Sequence, residues 1–152
     1  MSRLLVVDTN VIRAAGISEK PISKASREVL FAIRDICHRV TYTESLRQEW
    51  KKHSSLLSRL WMGSMAAKKK PVKIGSEIKI ALPQDELSEK DYDAISKDLH
   101  ILQTALAADK IIITLETKLQ EALAKTQKTK RILNSIKWIN PLNDGAKRLK
   151  NL

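Results

Sequence analysis

Leu4-Leu5-Val6-Val7-Asp8 is a run of four apolar residues closed by a carboxylate. An unbroken apolar run of this length is the pattern of a strand buried on both faces in a parallel sheet, since a half-exposed strand would alternate. Ile111-Ile112-Ile113-Thr114-Leu115 repeats the pattern with one polar residue, Thr114, between, and ends on Glu116. Between the two runs the periodicity becomes helical. Residues 23–37 set Val29, Leu30, Ile33, Ile36 and Cys37 on one stripe, so Cys37 is expected in the core. Residues 40–43 read as a second strand, and Thr43 as the N-cap of a helix to about residue 61, with Leu46, Trp50, Leu57 and Leu60 or Trp61 buried.

Ser88 and Asp91 have capping-box spacing, and Ile95, Leu99, Leu102 and Leu106 then follow one helical face. A helix over 117–126, a strand over 136–139 and a basic tail complete the chain. Strands alternating with helices imply right-handed βαβ crossovers. The expected fold is therefore α/β, a three-layer α/β/α sandwich around a mainly parallel sheet.

At 152 residues the chain fits one domain, residues 1–152, with a Lys-rich loop or loose hairpin at about 63–83. Lys and Arg outnumber Asp and Glu by 28 to 17, a net charge of +11 that favours a polyanionic partner. Lys68, Lys69, Lys70 and Lys73 in the loop are the candidate nucleic-acid contacts. One cysteine, Cys37, excludes an intramolecular disulfide and a four-cysteine zinc site. No apolar run approaches the roughly 18–20 residues that span a bilayer, so a cytoplasmic protein without membrane association is expected. With four glycines the chain has neither a G-x-G-x-x-G nor a G-K-[ST] phosphate loop. His38, His53 and His100 form no H-x-x-x-H pair.

In open parallel sheets, ligands collect at the carboxyl ends of the strands. Asp8 and Glu116 should emerge there together. Asp98, three residues after Ile95 and four before Leu102, borders the packed face of its helix, and Glu49 sits similarly beside Trp50. Four acids at one edge repel and raise one another's pKa unless a divalent cation neutralises them. Mg²⁺ or Mn²⁺, a hard ion taking carboxylates, water and substrate phosphate, suits that set. Thr9, Asn10 and Thr114 are candidates to hold the carboxylates by hydrogen bonds. Each acid also has a structural reading. Asp8 suits a cap, Glu49 a partner of Lys52 or His53, Asp98 a partner of Lys97, and Glu116 a helix-dipole acid before Thr117. Glu44 and Asp91 are better explained as first-turn acids, and Trp50 and Trp61 as packing residues.

These segments resemble the PIN-domain family of ribonucleases. Residues 4–12 are similar to its first strand and D-T-N turn, and residues 42–50 to its second segment, whose acid is Glu49. Asp98, with Ala105 seven residues on, matches the third acid, and residues 111–116 the segment that usually reads T-x-D. The resemblance implies a Mg²⁺- or Mn²⁺-dependent endoribonuclease with Asp8, Glu49, Asp98 and Glu116 as metal-holding catalytic residues. It also implies RNA as substrate, frequent homodimers and often a toxin paired with a cognate antitoxin. Glu116 departs from the family's usual Asp by one methylene. A metal-silent RNA-binding module or a protein-interaction module of the same fold are the competing expectations.

Overall fold

The computed structural model describes residues 2–75 and 78–152. Five short strands build its centre: β1 (Leu4–Val7), β2 (Arg39–Tyr42), β3 (Pro71–Lys73), β4 (Ile111–Ile113) and β5 (Lys137–Ile139). Every pairing is parallel, in the order β3-β2-β1-β4-β5. The sheet is flanked by helices, which gives the expected three-layer α/β/α arrangement. Leu5, Val6 and Val7 are fully buried, as are Ile112 and Ile113. The two unbroken apolar runs are thus the two central strands, covered on both faces.

The chain winds outward from β1 through β2 to β3, then returns across β1 to lay β4 and β5 on the other side. The order therefore reverses between β1 and β4. Val7 stands beside Ile113, and the Asp8 amide donates to the Ile113 carbonyl at 2.9 Å. At such a reversal the crossovers on the two sides diverge and leave a crevice at the carboxyl ends of the strands.

Nine α-helices occur among the described residues, and several differ from the periodicity reading. α1 (Thr9–Ala14) starts directly after β1, and α2 (Pro21–Asp35) packs on β2 with Pro21 in its first turn. Cys37 is exposed and the neighbouring His38 is buried instead. The His38 ring accepts the Arg3 amide on Nδ1 at 3.1 Å and meets the Leu149 carbonyl with Nε2 at 2.6 Å. Its two ring nitrogens are both satisfied, which lets it replace the thiol in the core.

The single helix expected over 43–61 is two: α3 (Glu44–His53), capped by Thr43, and α4 (Leu56–Ala67). Ser55 and Ser58 form a reciprocal capping box that restarts the helix. The apolar stripe continues across the break, so hydrophobic spacing alone conceals it. Trp61 is the buried member and Leu60 is exposed. The helix over 88–106 is likewise divided at Asp98 into α5 (Glu89–Lys97) and α6 (Leu99–Leu106).

Residues 63–83 are not a loop throughout. α4 runs to Ala67 and β3 occupies Pro71–Lys73, while Ser76 and Glu77 lie outside the described residues. α7 (Lys118–Leu123) is shorter than expected, and α8 (Gln127–Ser135) follows it unforeseen. Past β5, the expected tail folds into α9 (Pro141–Asp144) and a 3-10 turn (Ala146–Asn151) packed on α2. No helix among the described residues is long and apolar enough to cross a membrane.

Candidate active site

Asp8, Glu49, Asp98 and Glu116 line one cleft of about 180 Å³ at the reversal point, together with Thr9, Asn10, Arg13, His53 and Lys97. Each acid arrives from a different element. Asp8 follows β1 and precedes α1, Glu49 is on α3, Asp98 is the junction of α5 and α6, and Glu116 follows β4. α6 packs on β1 and β4, and α3 packs on α1 and α6, which closes the walls around the strand ends.

Hydrogen bonds at the floor tie β1 to β4. The Thr114 hydroxyl donates to Asp8 Oδ2 at 2.9 Å. The Asn10 amide donates to Thr114 Oγ1 at 3.0 Å and, more loosely, to Asp8 Oδ2 at 3.4 Å. The other end of that side chain accepts from the Leu115 backbone at 3.2 Å. Thr114 Oγ1 also accepts the Glu116 amide at 3.2 Å, so one hydroxyl links the positions of two acids. Thr9 donates to Glu49 Oε2 at 3.1 Å, and the Trp50 indole fastens α3 to the end of β1 through the Val7 carbonyl at 2.9 Å. Thr9, Asn10 and Thr114 therefore all touch a carboxylate or its immediate holder.

At two of the acids the raising effects outweigh the lowering ones. Asp8 is pushed above the ordinary carboxylate range, first by burial and further by the Glu116 charge, against the lowering effect of the Thr114 hydrogen bond. Asp98 is pushed up to about 6, first by burial and then by the charges of Asp8 and Glu116. Its carboxylate makes no hydrogen bond within the described residues, and neither helix at the junction uses it as a cap. Burial of an acid without compensation costs free energy. Among the described residues no three His, Cys, Asp or Glu side chains lie close enough together to hold one ion directly. Mg²⁺, which retains several waters, requires only one or two direct carboxylates. The donor set is all oxygen at the acids, which fits a hard cation.

His100 was not singled out by the sequence. Its Nε2 is buried, lies 3.3 Å from Glu49 Oε2, and has no hydrogen-bond partner of acceptable geometry. Its position two residues after Asp98 on the apolar helix was a usable signal, because an inward-facing imidazole there needs an acid. Arg13 and Lys97 bring positive charge to the cleft; Lys97 acts on its neighbour Asp98, as its place in the sequence suggested, while Arg13 is a surface charge that no motif marked.

The candidate nucleic-acid lysines diverge. Lys68 and Lys69 are exposed, and Lys73 pairs with Glu44 at 3.3 Å. Lys70 is a correction: it is buried, and its ammonium donates to the carbonyls of Ile33, Arg34 and Ile36. A cation there satisfies carbonyls that the end of α2 leaves open and complements its dipole. Lys70 is a helix cap and is not available to a phosphate. No family model and no curated protein matches the chain.

Proposed function

We propose that the chain is a metal-dependent endoribonuclease of PIN-like organisation, with Asp8, Glu49, Asp98 and Glu116 holding Mg²⁺ or Mn²⁺. One observation carries the reading: four acids from four separate elements face a single cleft at the strand-order reversal. Asp8 and Asp98 are held above their ordinary pKa first by burial, with the Glu116 charge adding at both and the Asp8 charge at Asp98, a burden that a structural role does not require. A divalent ion bound there would polarise a phosphoryl oxygen and lower the pKa of a bound water. Thr114 and Asn10 keep Asp8 aimed, Thr9 keeps Glu49 aimed, and Arg13 and Lys97 supply positive charge for the flanking phosphates.

RNA as substrate, a second copy of the chain and a cognate antitoxin as partners belong to this reading through the family resemblance, and a cytoplasmic setting through the single cysteine and the lack of a membrane-length apolar run. The +11 charge supports the first of these. The deciding test is Asp8→Asn, which keeps the shape and the Asn10 and Thr114 contacts. It is expected to abolish Mn²⁺- or Mg²⁺-dependent cleavage of single-stranded RNA while the circular-dichroism spectrum stays unchanged. Undiminished cleavage refutes the assignment.

The second reading is a metal-silent RNA-binding module. It is favoured by the spacing of the acids, which brings no three together, and by Glu116, whose exposed carboxylate stands at the rim. Calorimetric titration with Mn²⁺ separates the two: a saturable site lost in Asp8→Asn supports the nuclease, and no binding supports the silent module.

A further inference from the structure

On the far side of α3 from the acids lies a second recess, an apolar groove of about 450 Å³ between α3, α4 and the β2–β3 edge. Its volume lies within the range of small-molecule clefts. We propose that this groove binds a small amphipathic anion, an aryl or medium-chain acyl acid, with its apolar body on α4 and its acid on the cations of the rim.

Three observations carry this. The wall is apolar and adaptable: Trp61, Met62 and Met65 line it from α4 and Trp50 from α3. The rim is cationic, with Arg47 and Lys51 one helical turn apart on α3 and Lys69 from beyond the end of α4. Lys51 and Lys69 enter no ion pair within the described residues, and Arg47 has only a distant contact with Glu44 at 3.9 Å. Their charge is thus uncommitted beside a surface that water solvates poorly.

The third observation is Gly63. It stands inside α4, where glycine is the poorest ordinary helix former, and a Cβ built on it would meet nothing within 4 Å. No neighbour in the chain requires the missing side chain. Gly63 is itself one of the residues that line the groove.

A nucleotide base is a poorer fit. Trp50 and Trp61 are 4% and 1% exposed and are turned toward each other at 6.3 Å and 69°, which leaves no free ring face for stacking. The recess accepts a flexible apolar body more readily than a stacked base.

The chain has three methionines, and two of them line the groove, so ¹³C-methyl methionine labelling gives a compact readout. Sodium decanoate titrated into the whole chain should shift the Met62 and Met65 methyl signals saturably. Decylamine, with the same tail and opposite charge, should bind at least tenfold more weakly. Gly63→Leu, which fills the open space, should weaken decanoate binding at least tenfold, and Lys51→Glu should weaken it severalfold without touching the groove floor. Neither residue lines the acid cleft, so RNA cleavage should be unchanged in both variants. Equal binding of decylamine, unaltered decanoate binding in both variants, or methyl shifts with decauridylate in place of decanoate would each overturn the proposal.

Discussion

Asp98→Asn should stabilise the metal-free protein at neutral pH and have almost no effect in acid. The carboxyl is pushed from 3.8 up to about 6 by burial and by Asp8 and Glu116. Because the folded-state pKa is raised, the folded protein holds its proton more tightly than the unfolded chain between those values. Stability is therefore greatest below the unfolded pKa and is lost as pH rises through about 6. The full difference would be worth at most about 3 kcal/mol, since each pKa unit is about 1.4. The side of Asp98 open to the cleft screens it to roughly 1–2 kcal/mol. Asparagine keeps the shape, and it sacrifices no capping bond because the Asp98 side chain makes none. For a domain of this size the gain corresponds to roughly 3–6 °C in Tm. Calorimetric melts in EDTA at pH 4 and pH 8 should agree with wild type at the first and exceed it at the second. Mn²⁺ should then raise the wild type and reverse the order, because binding to the folded state adds RT ln(1 + [L]/Kd). A variant no more stable at pH 8 than at pH 4 relative to wild type would refute the claim that Asp98 is charged at a cost.

Replacing Lys70 by Met should destabilise the fold by about 2 kcal/mol or more, because buried carbonyls lose their donor. Lys68→Ala should instead change stability by less than about 0.5 kcal/mol; urea melts distinguish the two. Thr114→Val removes the hydroxyl that holds Asp8 and is expected to weaken Mn²⁺ binding by about 10–100-fold with the fold retained, as read by calorimetry. Gly63→Ala should raise stability by about 0.5–1 kcal/mol, and a lower Tm would mean that the glycine is needed for packing within the chain.

The parts of the fold visible in the sequence are those where burial on both faces leaves an unbroken apolar run. β1 and β4 satisfy that condition and fix the two strand-end acids. β3 does not: Pro71-Val72-Lys73 offers one apolar side chain at a sheet edge, and its flanking lysines read as loop. α8 is hidden similarly, since Lys128, Lys130 and Arg131 dominate a helix whose apolar residues, Ile132 and Leu133, are only half-buried. Both helix breaks escaped because a continuous stripe says nothing about whether the backbone between its members is helical. For the site, Asp8 and Glu116 follow from strand ends, and Glu49 and Asp98 from their place at the border of a buried stripe. His100 and Lys70 required three dimensions, because a polar side chain's partner, here a glutamate 51 positions away or the end of another helix, leaves no local trace.

The reversal of strand order also divides the chain in two. Asp8 and Glu49 belong to the β1–β3 half and Asp98 and Glu116 to the β4–β5 half, and the halves meet along the single seam between β1 and β4. Neither half owns a complete set of acids. Two separately expressed fragments, cut between β3 and α5, would each carry a pair of carboxylates and an open strand edge matched to the other. Their reassociation would restore the cleft, so metal binding could report fragment complementation directly.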